Sequence, residues 1–199
     1  LFLKPEYEQY KKRLVELAHK DDEASYKEFQ GFVFEGMRHA GVVPGLPRVA
    51  NKDVTINDGA RGPIHIRAEQ TVLIGTSKAS MDPEAFPNPE KLDPFRPLSS
   101  YILLGHVSVY NCFKAPAVYT DQAAFQGLHF CFGARLVGPA LVATLKEVFK
   151  LKNLRRAPGR QGHLNEVVHE VAGVPMKSYL DQNSKESPIP TTMTLEYDE

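Results

Sequence analysis

Cys131 is the residue of this sequence best placed to do chemistry. It stands in Gly127-Leu-His-Phe-Cys-Phe-Gly133, and a segment of helical period begins directly after it. A thiol at that place faces the positive end of the following helix dipole and the free amide hydrogens of the first turn, and both favour thiolate over thiol. A thiolate is what a metal needs from a cysteine, and Gly127 and Gly133 let the backbone turn sharply and approach a flat cofactor closely. Two other readings stay open on these residues alone. Cys131 can be a small buried hydrophobe, or a nucleophile with His129 as its base, although a separation of two residues does not show that the side chains meet. The glycine spacing and the following helix favour a haem ligand.

Glu35 and Arg38 form the second candidate, three residues apart near the end of an earlier helix. Such a pair on a solvated face contributes about 0–1 kcal/mol. Here Phe32, Val33, Phe34 and Met37 flank it, so part of it is expected to be buried. A buried ion pair needs further hydrogen-bond partners, and it then fixes a geometry more than it adds stability.

The elements that would position these groups can be read from periodicity. Residues 5–19 predict an amphipathic helix, with Pro5 in its first turn and Tyr7, Tyr10, Leu14 and Leu17 at helical spacing. Asp21 or Asp22 caps a second helix running to about His39, with Tyr26, Phe29, Phe32, Val33 and Met37 as its apolar stripe and Gly41 as its stop. The period then changes: Asp53-Val-Thr-Ile predicts a strand, Asn57-Asp58-Gly59 a turn, and Ile64-His-Ile and Thr71-Val-Leu-Ile further strands. Prolines at 83, 87, 89, 94 and 97 make residues 82–97 irregular rather than helical. A long helix follows Gly133, with Leu136, Val137, Ala140, Leu141, Thr144, Leu145, Val148 and Phe149 expected on its buried side. Beyond Arg155 the chain reads as loop-rich, with strands near Val167–Val171 and Thr192–Tyr197. The fold class expected is α+β, mainly helical.

The totals narrow the function classes. With 42% apolar and 24% charged residues, the composition is that of a soluble globular protein. Lys plus Arg equals Asp plus Glu, and no basic stripe is interleaved with aromatics, so nucleic acid and anionic membranes are not the expected partners. No apolar run approaches the roughly 20 residues of a membrane span, and no signal-peptide pattern opens the chain. Two cysteines cannot build a disulfide framework, and the scattered histidines show no zinc spacing. The first residue is Leu and the chain opens close to a helical pattern, so it is expected to begin in mid-domain.

Three motifs, in order, carry a family resemblance. Glu35-Gly-Met-Arg38 resembles the Glu-x-x-Arg motif of the K helix in cytochromes P450. Asp82-Pro-Glu-Ala-Phe-Pro-Asn-Pro89 followed by Leu92-Asp-Pro-Phe-Arg-Pro97 resembles the meander of that family, and Gly127 to Gly133 its haem-binding loop. More narrowly, Leu154-Arg-Arg-Ala-Pro-Gly159, Gln161-Gly162 and Pro190-Thr-Thr-Met193 resemble the C-terminus of fungal fatty-acid oxygenases, the linoleate diol synthases or psi-producing oxygenases. Those fuse a peroxidase-like dioxygenase domain to a P450-type domain that isomerises the resulting hydroperoxide.

The resemblance implies a partial P450-type haem-thiolate domain over residues 1–199, running from K helix through small sheet, meander and cysteine loop to L helix. It implies haem b as cofactor, with Cys131 as the axial thiolate on iron. His129 and Arg48 match positions that contact haem propionates, and an Arg grips a carboxylate with two donors. Glu35 and Arg38 match the structural pair that holds the meander and the cysteine loop, so no catalytic residue is expected within this stretch. It also implies a fatty-acid hydroperoxide substrate, and a missing distal half and missing N-terminal peroxidase-like dioxygenase domain. The expected compartment is cytoplasmic or lipid-body associated rather than secreted. Two alternatives remain: an ordinary monooxygenase served by a reductase, which the tail motifs disfavour, and a non-enzymatic fragment.

Two departures stand out against the family pattern. Leu104 replaces its usual aromatic residue. Joining His106 to Gly127 closes the loop pattern without a gap, leaving the 20 residues Val107–Gln126 as an insertion. They begin Val-Ser and end Phe-Gln, which splice-site sequences can encode. Val109, Tyr110, Phe113, Val118, Tyr119 and Phe125 make a poor solvated loop. The reading is an unspliced intron translated in frame. A real surface insertion is the alternative, since closing such a loop costs only on the order of 2–3 kcal/mol.

Overall fold

The computed structural model describes residues 1–41, 45–57, 59, 62–97, 100–101, 134–171, 173–181, 183–188, 190 and 192–199, leaving out the side chains of 134, 135 and 137. A 3-10 turn, Pro5–Tyr7, leads into helix α1, Glu8–Ala18, and a short turn leads to α2, Glu23–Ala40. Asp22 caps α2: its carboxylate accepts from the Ser25 amide at 2.9 Å and from the Ser25 hydroxyl at 2.7 Å. Gly41 ends the helix at φ 59°, a left-handed conformation that glycine adopts without penalty.

The core lies where α1 and α2 meet α4, Ala134–Phe149. Leu14, Leu17 and Ala18 of α1, Phe29, Phe32 and Val33 of α2, and Val142 and Phe149 of α4 are buried together. Each such Leu or Phe contributes roughly 1.5–3 kcal/mol. Edge-on ring pairs, Phe29 with Phe149 at 6.2 Å and Phe2 with Phe32 at 6.2 Å, fix how the helices seat. Outside the core, Arg13 of α1 grips the Glu28 carboxylate with two bonds of 2.7 Å, and Lys146 of α4 bonds Asp21 at 2.8 Å.

Among the described residues the strands form four small antiparallel sheets. β1, Leu46–Val49, pairs with β4, Thr71–Ile74, and between them β2, Val54–Asn57, forms a hairpin with β3, Pro63–Ile66. A short helix α3, Thr76–Ala79, then leads into the irregular stretch 82–97. After α4, β5, Lys152–Arg156, pairs with β9, Leu195–Asp198, while β6, Asn165–Val171, β7, Val174–Leu180, and β8, Glu186–Ser187, make a three-stranded sheet.

Three expectations need correction. The stretch beyond Arg155 is strand-rich, not loop-rich: β5 pairs with β9, and β7 pairs with both β6 and β8. Tyr26 is 38% exposed and stands at the edge of the α2 stripe rather than in it. Leu136, at 73% exposure, lies on the open face of α4 with Ala140 and Thr144, while Val142, not expected inside, is fully buried. That helix is apolar on more than one face, so period alone does not say which face packs.

Candidate functional site

α2 is buried on two sides. Its Phe29, Phe32 and Val33 enter the helical core, and its Phe34 packs with Phe86 and Tyr101 in a second cluster. Glu35 and Arg38 lie on this second side with 0% and 1% exposure. Gly31 permits the contact with the irregular stretch: a Cβ there would sit 1.9 Å from the Pro94 carbonyl oxygen. The helix and the 82–97 segment therefore meet backbone to backbone.

The pair is bidentate. Arg38 Nε donates to Glu35 Oε1 at 2.8 Å, and Nη2 to Oε2 at 2.9 Å. Arg38 Nη1 reaches the Ser80 carbonyl at 3.0 Å and the Met81 sulfur at 3.2 Å, and Nη2 also lies 3.3 Å from the Lys91 carbonyl and 2.9 Å from His39 Nε2. The carboxylate is equally occupied. Oε2 accepts from the Asp93 amide at 2.9 Å and from Arg96 Nε at 3.5 Å, and Oε1 accepts from the Tyr101 hydroxyl at 2.9 Å. Arg96 in turn donates to the carbonyls of Pro87, at 2.8 Å, and Asn88, at 3.2 Å, and both guanidinium groups lie against the Phe86 ring. Two charges are thus removed from water with their bonding capacity filled, the condition under which a buried pair holds a geometry.

Electrostatics follow from this packing. Burial pushes the Glu35 carboxyl up, but Arg38, the Asp93 amide and the Tyr101 hydroxyl outweigh it and hold the group below the usual carboxylate range. Burial and the adjacent Arg38 cation lower His39, which stays neutral and can accept from Arg38. Burial, then the Glu35 charge, pushes the Tyr101 phenol far up, so it remains a donor.

The structure thus brings Glu35 and Arg38 together and seats them on the stretch 82–97. Arg48 stands elsewhere, exposed on β1 opposite Val72, and among the described residues its guanidinium bonds only the Pro47 carbonyl, at 2.8 Å. Its remaining donors suit a carboxylate such as a haem propionate. Cys131, His129, Leu104 and the segment Val107–Gln126 lie outside the described residues. Sequence reasoning missed Gly31, Arg96 and Tyr101. For Gly31 the signal was a glycine inside a strong helical pattern, which costs about 1 kcal/mol without a packing reason. Arg96 and Tyr101 carried no local signal, because their partner is 61 and 66 residues away in sequence.

Comparisons with known proteins agree with this architecture. In solved structures, CYP105D6 matches 96% of this chain with 38% of its own at a TM-score of 0.58 and 18% identity. Substrate-free CYP109E1 from Bacillus megaterium matches 88% with 36% of its own at 0.56 and 20%. These likenesses show the fold, a P450 fold matched over part of its length. Among curated proteins, the bifunctional dioxygenase-epoxy alcohol synthase of Fusarium oxysporum is 33% identical over 83% of this chain, and psi-producing oxygenase A of Emericella nidulans 32% over 84%. The linoleate diol synthase of Gaeumannomyces graminis is 31% identical over 47%. The chain spans 11% and 13% of the length of the first two. The cytochrome P450 family model matches residues 21–134, more than half of the sequence. With that match over the buried Glu35–Arg38 pair and the stretch packed on it, the chain belongs to the cytochrome P450 family.

Proposed function

We propose that this chain is the haem-binding part of a fungal fatty-acid hydroperoxide isomerase, in which Cys131 would supply the thiolate that holds haem b. The observation that carries this reading is the similarity, over more than four-fifths of the chain, to fungal oxygenases that include a dioxygenase joined to an epoxy alcohol synthase. When bound, the haem supplies cleavage of the peroxide O–O bond, favoured by electron density from a thiolate. The chain's own residues hold and orient it. Arg48 and His129 would take the propionates, and Cys131, three residues before α4 in the sequence, would be favoured as thiolate by the helix N-terminus. Glu35 and Arg38 act at one remove, tying α2 to the stretch 82–97 that precedes the cysteine segment. The helix assignment follows the same reading: α2 is the K helix and α4 the L helix.

In this reading the parent chain also carries the dioxygenase domain that makes the hydroperoxide, and Val107–Gln126 is a retained intron. Transcripts are expected to join the His106 codon directly to the Gly127 codon. The activity test uses the full-length gene product and a fatty-acid hydroperoxide labelled in both peroxide oxygens, without reductase or oxygen. A diol or epoxy alcohol retaining both labels is the expected product. Turnover that requires an electron donor and molecular oxygen would replace this reading by an ordinary monooxygenase.

A further inference from the structure

One nitrogen of Arg38 takes no part in the ion pair. Nη1 donates to the Ser80 carbonyl at 3.0 Å and to the Met81 sulfur at 3.2 Å, while Nε and Nη2 hold Glu35. The chain has methionines at 37, 81, 176 and 193. Among the described residues, Met81 is the one whose sulfur meets a hydrogen-bond donor, and that donor is a cation fixed by a carboxylate. Met81 is only partly buried, so solvent reaches it, whereas Met37 packs against both apolar clusters. We propose that Met81 is a site of reversible oxidation by hydroperoxides, and that Arg38 selects and holds the product. The thioether attacks the terminal peroxide oxygen, the O–O bond breaks, and the sulfur gains that oxygen as a sulfoxide. The hydroperoxide is reduced by two electrons and leaves as the alcohol, the hydroxyl proton passing to the departing oxygen. Arg38 Nη1 engages one of the two sulfur lone pairs, so the oxygen is added at the other and a single sulfoxide epimer forms. The new oxygen is a far stronger acceptor than the sulfur, and rotation about the Cγ–S bond brings it to the same guanidinium as a charge-assisted bond. At Met37 the same oxygen would stand among apolar side chains and disturb them. Met81 is therefore oxidised without unfolding the protein, and a reductase specific for its epimer restores it. The proposal stands on these contacts and does not rest on the haem-thiolate reading.

The test treats the full-length gene product with hydrogen peroxide and, separately, with a fatty-acid hydroperoxide, both folded and unfolded in urea. Peptide mass spectrometry follows the sulfoxide at each of the four methionines, before and after two reductases specific for opposite epimers. In the folded protein, Met81 sulfoxide is expected to be cleared by one reductase and left untouched by the other. In urea, where Arg38 no longer engages the sulfur, each reductase should clear about half of it, since the two epimers then form equally. Either oxidant suffices for the proposal, and the arm that reacts identifies the source. Equal epimers in the folded protein, or no sulfoxide at Met81 until it unfolds, would overturn the assignment. Met37→Leu, run alongside, removes the methionine whose oxidation disturbs the core. That variant should keep its thermal midpoint after Met81 is oxidised. A midpoint that falls in step with Met81 sulfoxide would show that Arg38 does not hold the oxygen, and would equally overturn the proposal.

Discussion

Two polar clusters in this chain use similar groups to different ends. At Glu35 and Arg38, a carboxylate with no solvent exposure collects donors from α2, the 82–97 stretch and Tyr101. On the three-stranded sheet, the Glu186 carboxylate accepts from the Ser178 hydroxyl and meets His169 Nε2, but the Glu186 and His169 side chains are 47% and 49% exposed. The partners of Glu35 come from as far as 66 residues away, those of Glu186 from within 17. Water reaches the Glu186 and His169 side chains of the second cluster, whereas the Glu35 and Arg38 side chains are closed to it. The buried cluster therefore decides how separate segments meet, while the exposed one stitches neighbouring strands that are already paired through their backbones.

The largest expected effect comes from breaking the buried pair. Arg38→Ala or Glu35→Ala leaves an uncompensated buried charge and should destabilise the protein by about 3–5 kcal/mol, against the small change of a surface substitution for Glu186→Ala. Denaturant unfolding of the three variants checks this. Comparable losses in all three would erase the distinction between the clusters.

Gly31→Ala should come next. The added methyl would need the Pro94 carbonyl to retreat from a 1.9 Å approach, which costs roughly 1–3 kcal/mol despite the better helix propensity of alanine. Near-ultraviolet circular dichroism should show the aromatic cluster around Phe86 disturbed more than the helix content.

The smallest effect is a pH dependence. His39 is lowered from an ordinary value of 6.5, so the folded form binds fewer protons than the unfolded form below that value. The stability from neutral His39 is thus fully present above pH 6.5 and is lost as pH falls towards the depressed folded value. Unfolding midpoints measured across this range should decline on the acid side, and His39→Gln, which keeps an acceptor for Arg38, should remove that component. A midpoint that rises on acidification would contradict the Arg38–His39 bond.

Much of this was legible in local pattern. The 3.6-residue period of Phe29, Phe32 and Val33 marks the core face of α2, and Asp22 and Gly41 mark its ends by capping chemistry. The pair itself was legible because three-residue spacing places Glu35 and Arg38 side by side. What the pattern did not carry is of two kinds. Pro47 and Pro175 disguise β1 and β7, since a proline argues against a strand, yet each of these strands is short or pairs where a missing amide is tolerated. Tyr101 and Arg96 join the site through contacts that no window of sequence contains.

The central claim is that Cys131 supplies the thiolate to haem iron. It is tested most directly by carbon monoxide difference spectroscopy of the reduced full-length gene product, with Cys131 intact and with Cys131→Ala. The account predicts a thiolate-type band in the first and its loss in the second. A thiolate-type band that survives Cys131→Ala, or bound haem without that band in the unaltered protein, would contradict it.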